Sequence, residues 1–131
     1  MELQLKIVGV LLIALALVHV IFPKYFHWEK ELSLLSLINK QMMQVHTLFI
    51  ALTLLLMGLL CLTSSNELIT TALGKRISLG FGIFWGVRLF IQFFGYSTKL
   101  WKGKTFETTI HILFSLLWFY LTWIFINIFL K

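Results

Sequence analysis

The sequence predicts an all-α integral-membrane protein: a four-helix transmembrane bundle in up-down-up-down order. Of its 131 residues, 60% are hydrophobic and 12% charged, and the mean hydropathy is +0.94. A soluble domain of this size would expose much of that apolar surface to water. The chain also offers four apolar stretches of about the 20 residues that a membrane span needs. We expect spans at residues 3–22, 41–63, 75–96 and 108–130, forming a single integral-membrane domain over residues 1–131.

The first break between spans, residues 23–40, is the longest and predicts a short interfacial helix. Trp28, Leu32 and Leu35 recur there at helical spacing, with charged residues and serines between them. This pattern is typical of an amphipathic helix that lies in the membrane surface after the first span. Aromatic residues around the same predicted face indicate an interfacial belt. They are Tyr25, Phe26, Trp28, Tyr96 and Trp101.

The second and third breaks are shorter. Ser64 and Glu67 have the spacing of a helix capping box, which predicts a short helix that ends at Gly74. The third loop, residues 97–106, is short and basic. Breaks this short make consecutive spans antiparallel neighbours.

The formal net charge of +6 is unevenly shared between the two predicted membrane faces. Seven basic residues fall on the face at which the first and third spans end, and four fall on the other. The excess predicts that the face with seven is cytoplasmic. We expect no nucleic-acid partner, because no soluble domain presents the lysines; anionic lipid headgroups are their expected partners. The seven are Lys24, Lys30, Lys40, Arg88, Lys99, Lys102 and Lys104, and the four are Lys6, Lys75, Arg76 and Lys131.

Five polar residues are predicted to meet at one depth of the bundle. His19 lies near the end of the first span and His46 near the start of the second. Arg88 and Gln92 lie in the last turns of the third span, and His111 lies in the first turn of the fourth. Antiparallel neighbours bring these ends to the same membrane face. Ionisable groups inside a bilayer are costly and usually functional, so this layer is the candidate site.

Helical spacing also predicts which side chains share a face with the polar residues. Residues three or four apart lie on one side of a helix. The resulting stripes are Trp85, Arg88, Gln92 and Tyr96 in the third span, and Glu107, His111, Ser115, Trp118 and Thr122 in the fourth.

The leading functional hypothesis is an integral-membrane redox protein that binds haem b or a transition metal ion. Imidazole is a common ligand for zinc, copper and iron, including haem iron. We expect His46 and His111 as the first ligands and His19 as the third, with Arg88 and Gln92 orienting the bound group.

Two alternatives remain open at this stage. In the first, Arg88, Gln92 and His111 hold a quinone or the head of an anionic lipid, and His111 with Glu107 supplies acid–base groups for an enzyme. In the second, the protein is a non-enzymatic accessory subunit of a larger membrane complex or a homo-oligomer. Its polar layer then only fixes helix register.

Two segments carry a resemblance to a known group of proteins. They are FWGVRLFIQFFGY at residues 84–96 and FETTIH at residues 106–111. Both resemble segments of an uncharacterised family of small bacterial four-helix inner-membrane proteins. The resemblance covers most of the chain. It implies the fold and a bacterial inner-membrane location, and it implies no activity.

Overall fold

The computed structural model describes residues 1–95 and 103–131, and the predicted all-α fold class is confirmed there. Four long helices are long and apolar enough to cross a membrane, by length and composition. Tyr96 and Trp101 of the predicted aromatic belt lie outside the described residues, as do Lys99, Lys102 and most of the third loop. The helices are α1 (Glu2–Tyr25), α2 (Trp28–Glu31), α3 (Leu37–Thr63), α4 (Ser65–Thr70), α5 (Ala72–Phe94) and α6 (Thr105–Leu130).

Helices α3 and α5 begin earlier than hydropathy alone predicts, because a polar cap precedes each apolar run. Ser36 precedes α3, and its Oγ accepts a hydrogen bond from the Asn39 amide at 3.4 Å. Thr71 precedes α5, and its Oγ1 accepts from the Gly74 amide at 2.9 Å. Each cap satisfies an N–H group that the first helical turn leaves without a partner.

The first compact unit, Glu2–Ser65, is built on the antiparallel pair of α1 and α3. The Ser65 hydroxyl at the far end of this unit lies 3.4 Å from the Glu2 carboxylate. The backbones come close where Gly9 faces Gly58: a Cβ on Gly9 would lie 2.8 Å from the Gly58 carbonyl oxygen. Small residues allow such close approach between membrane helices. The buried apolar side chains of the two helices are Leu5, Val8, Leu12, Leu15, Ala16, Ala51, Leu54, Met57 and Cys61.

Helix α2 forms where the interfacial helix is predicted, but it is only four residues long. Its Trp28 is buried, while Leu32 and Leu35 lie beyond its end at Glu31. The Ser33 hydroxyl donates to the Lys30 carbonyl at 2.6 Å, and such local bonds compete with helix continuation. The predicted extension of this helix to Leu35 is therefore wrong.

The second compact unit, Asn66–Lys131, is built on the antiparallel pair of α5 and α6. Phe81 packs edge-on against Phe125 with ring centroids 5.3 Å apart. At the next residue of α5, a Cβ on Gly82 would lie 2.6 Å from the end of the Ile126 side chain. Antiparallel neighbours of this kind are the packing expected of an up-down bundle.

The second break contains the predicted short helix, α4. Gly74 does not end it, contrary to prediction, and lies instead in the first turn of α5. A Cβ there would overlap the backbone of Glu67 and Leu68. The absence of a side chain at Gly74 therefore lets α4 pack against the start of α5.

Candidate functional site

Four side chains of the α5–α6 pair form one hydrogen-bonded network, which we call the Gln92 network. Arg88 and Gln92 are one turn apart on α5, and Arg88 Nη1 donates to Gln92 Oε1 at 3.2 Å. From α6, Trp118 Nε1 donates to the same oxygen at 3.3 Å. The Gln92 amide nitrogen lies 2.9 Å from Nδ1 of His111. Gln92, only 7% exposed, thus connects all three partners.

The bonds of Gln92 fix the orientation of its side-chain amide. Arg88 Nη1 and Trp118 Nε1 can only donate, so the amide atom that faces both of them must be the oxygen. The amide nitrogen therefore donates to Nδ1 of His111. A ring nitrogen that accepts a hydrogen bond carries no proton, so a neutral His111 bears its proton on Nε2. This assignment follows from the donor and acceptor pattern rather than from observed hydrogens.

This tautomer decides what the His111 ring can bind. An Nε2–H group donates to an acceptor oxygen but offers no lone pair to a metal ion. A histidine that ligates a metal through Nε2 usually donates its other N–H to an oxygen, which is the opposite arrangement. To ligate haem iron or a metal, His111 would have to change tautomer and give up its bond from Gln92.

Aromatic rings surround the Gln92 network within the second pair. Trp118 stacks on Trp85 with centroids 5.1 Å apart and on Phe114 with centroids 5.5 Å apart. The Arg88 guanidinium carbon lies 4.9 Å from the centre of a Trp118 ring, within the range of a cation–π interaction. Phe93 packs edge-on against His111 at 5.7 Å. Apolar walls lower the local dielectric and strengthen the hydrogen bonds between these groups.

His19 has the tautomer that His111 lacks. Its Nδ1 lies 2.8 Å from the Leu15 carbonyl oxygen, which can only accept, so Nδ1 carries the proton. When neutral, His19 therefore has a bare Nε2 lone pair. The ring lies half-buried on α1, with its centroid 4.7 Å from that of Phe22.

The structure brings together three of the predicted site residues in one hydrogen-bonded network. Arg88, Gln92 and His111 meet in the second pair, whereas His19 and His46 belong to the first. The predicted meeting of all three histidines stays a prediction. Among residues 1–95 and 103–131, no three His, Cys, Asp or Glu side chains form a group that could hold a metal ion.

His46 and Glu107 are both exposed on the surface of their helices. His46 lies on α3, and Glu107 lies in the first turn of α6, one turn before His111. The described partner of His111 Nδ1 is Gln92 rather than Glu107. The predicted acid–base role of Glu107 with His111 stays a prediction.

Trp118 has a role that sequence reasoning missed. It lies on the predicted stripe of α6, but helical spacing alone assigns it no hydrogen-bond partner. Instead its N–H completes the set of donors on Gln92 Oε1. A signal was available, because a buried tryptophan usually finds a partner for its N–H and Trp118 shares the stripe of His111.

Comparisons with known proteins add no relative to this description. No protein-family model, curated protein or solved structure matches the chain. The functional argument therefore depends on the residues of the chain itself.

Proposed function

We propose that this integral-membrane protein binds a quinone headgroup through Arg88 and His111 of the α5–α6 pair. The observation that carries the proposal is the fixed amide of Gln92, which sets a donor, Nε2–H, on His111. The guanidinium of Arg88 is a second donor group in the same network, and like every guanidinium it can only donate. Two donor side chains on one network suit a ligand that presents acceptor oxygens, such as the carbonyl groups of a quinone.

Depth favours a quinone over a phospholipid as the source of those oxygens. Arg88 lies six residues before the end of α5 at Phe94, and His111 lies six residues after the start of α6 at Thr105. At 1.5 Å per residue, both are about 9 Å inside the helix ends. A lipid phosphate stays at the membrane surface. The Arg88 side chain would have to extend toward that surface to reach it. A quinone head is small and apolar enough to enter that depth.

The proposal is tested by titrating detergent-purified protein with decylubiquinone and with a short-chain menaquinone analogue. We expect saturable binding of one of them by calorimetry, weakened about tenfold or more by Arg88→Leu and by His111→Ala. Arg76→Leu is the matched control, because it removes the same charge at the other end of α5. Absence of quinone binding by the wild type, or equal loss in the Arg76 variant, overturns the proposal. Dioleoylphosphatidylglycerol in a parallel titration distinguishes an anionic lipid from a quinone.

The second candidate is the haem b or transition-metal site on His19, His46 and His111. The tautomer of His19 favours it, because a bare Nε2 is the atom that coordinates a metal. In this case the purified protein has a Soret band, or holds stoichiometric zinc, copper or iron. Substituting His46 or His111 by alanine then removes the band or the metal. His46→Ala separates the two candidates, since the quinone site in the second pair does not use His46.

A protein that binds neither quinone, haem nor metal would instead fit an accessory subunit of a larger membrane complex. The polar network then sets the register of α5 against α6 and has no ligand. Copurification of a stable partner complex, together with an Arg88→Leu variant of lowered thermal stability, supports that outcome.

We also propose that the protein lies in a bacterial inner membrane with its histidine-bearing face in the cytoplasm. The distribution of lysine and arginine supports this orientation. Alkaline phosphatase fused at the C-terminus should be active in the periplasm, and inactive fusions at this terminus contradict the orientation.

A further inference from the structure

A basic depression lies at the end of α1 and takes no part in the proposed quinone site. It has a volume of about 360 Å³ and is open on one side. Small-molecule sites span roughly 300–1,000 Å³, so a headgroup-sized ligand fits. The depression lies entirely in the first compact unit. Its lining residues are Pro23, Lys24, His27, Glu29 and Lys30.

The local backbone explains why these residues share one depression. Pro23 and Lys24 lie in the last turn of α1, which ends at Tyr25. His27 then adopts a left-handed conformation with φ 53° and ψ 49°, which histidine tolerates better than most residues. The carbonyl of His27 accepts from the Lys30 amide at 3.0 Å, which starts α2 directly after the turn. Lys30 is thereby held near Lys24, although the two belong to different helices.

Position and charge indicate the kind of ligand. The turn follows a helix of membrane-spanning length, and the exposed rings of Tyr25 and Phe26 flank it. Aromatic residues at the end of a span are typical of headgroup depth. Two lysines against one glutamate give the lining a formal charge of +1. Lysine binds phosphate as a point charge, and basic pockets at this level bind anionic lipid headgroups.

We infer that the depression formed by Lys24, His27 and Lys30 binds the phosphate of an anionic phospholipid headgroup. Lys24 and Lys30 supply the charge from the two sides, and Glu29 opposes binding. Trp28 is buried at the start of α2, the short helix that carries Lys30. The inference is independent of the quinone site, which lies in the other unit.

Native mass spectrometry of the detergent-purified full chain tests this inference. The probes are dioleoylphosphatidylglycerol, dioleoylphosphatidylcholine and inorganic phosphate. We expect the wild type to retain phosphatidylglycerol in preference to phosphatidylcholine. The Lys24→Gln/Lys30→Gln double variant should bind phosphatidylglycerol about tenfold or more weakly. Lys24→Arg/Lys30→Arg should restore binding, since it keeps both charges.

Two matched controls separate a site from general surface charge. Lys6→Gln/Lys75→Gln also removes two charges, but neither lysine lines the depression. Glu29→Gln should strengthen binding a fewfold, whereas Glu31→Gln on the same short helix should not. The inference is overturned if the Lys6/Lys75 variant loses as much binding as the Lys24/Lys30 variant, or if phosphatidylcholine binds equally well. It is also overturned if inorganic phosphate alone saturates the site and excludes the lipid.

Discussion

The side-chain amide nitrogen of Gln92 lies 2.9 Å from Nδ1 of His111 and joins α5 to α6. This one contact fixes a register between two apolar helices and also fixes which ring nitrogen of His111 is protonated. The chemistry available at His111 is thus set from a neighbouring helix, through an amide that cannot turn because Arg88 and Trp118 hold its oxygen.

Replacing either of the two stacked tryptophans by phenylalanine should have different effects on stability. Both rings are buried and stack on one another, but Trp118 donates to Gln92, whereas Trp85 Nε1 is buried without a hydrogen-bond partner among the described residues. Trp118→Phe should lower the free energy of unfolding by about 1 kcal/mol, through the lost hydrogen bond and weaker cation–π contact.

Trp85→Phe is the matched control for that loss of ring size. It should be neutral or slightly stabilising, because a buried N–H without a partner carries a desolvation cost. Thermal unfolding of both variants in the same detergent measures the difference. Equal destabilisation would mean that ring packing, and not the bond to Gln92, determines the effect of Trp118.

Arg88→Leu should leave the melting temperature unchanged or raise it. Insertion scales put the cost of an arginine at the helix centre at about 2.5–3.5 kcal/mol, and a charge-assisted hydrogen bond contributes roughly 1.5–3 kcal/mol, so removing both leaves stability nearly unchanged. Gln92 Oε1 also keeps its bond from Trp118. Melting temperature and quinone occupancy should be measured on the same preparation. A drop of several degrees, in a protein that binds no ligand, would assign Arg88 a purely structural role.

Glycine substitutions should distinguish the close contact in the first pair from open positions. A Cβ on Gly58 would lie 2.8 Å from the Gly9 carbonyl oxygen, so Gly58→Ala must push α1 and α3 apart. We expect it to lower the free energy of unfolding by about 1–3 kcal/mol. A Cβ on Gly80 would have no neighbouring heavy atom within 4 Å, so Gly80→Ala should stabilise α5 by up to about 1 kcal/mol. Thermal unfolding checks both, and a harmless Gly58→Ala would contradict the close packing.

Hydropathy and helical spacing are enough to predict most of the fold. Four spans follow from apolar length, and their antiparallel pairing follows from short breaks. Hydropathy does not predict the early starts of α3 and α5, because Ser36 and Thr71 act through single cap bonds. The predicted helix end at Gly74 is wrong, since the contact of Gly74 with α4 depends on packing rather than on local sequence.

The candidate site was predictable in part. Helical spacing puts Arg88 and Gln92 on one side of α5. The antiparallel arrangement of α5 and α6 then brings His111 to the same end of the pair. Spacing carries no information about hydrogen-bond direction, however. The opposite tautomers of His19 and His111 depend on which acceptor or donor lies about 3 Å from each Nδ1. A protonated Nε2 on His111 favours an oxygen acceptor over a metal ion or haem iron as its ligand.

Gln92→Glu should reverse the protonation of Nδ1 in His111. A carboxylate can only accept hydrogen bonds. Its contact with His111 therefore requires that Nδ1 carry a proton and donate it. Arg88 and Trp118 would still have an acceptor oxygen, which keeps the rest of the network in place. The ¹⁵N spectrum of ring-labelled histidine should show a protonated Nδ1 in this variant. An unchanged His111 spectrum would contradict the described contact.

The same ring-¹⁵N histidine spectrum of the wild-type protein, recorded with and without decylubiquinone or the menaquinone analogue, tests the central claim most directly. His111 is assigned by its disappearance in His111→Ala. The account predicts an unprotonated Nδ1 and a protonated Nε2, with the Nε2–H signal shifted by the quinone in the wild type and unshifted in Arg88→Leu. A protonated Nδ1 with a bare or metal-bound Nε2, or an Nε2–H signal that no quinone moves, would contradict it.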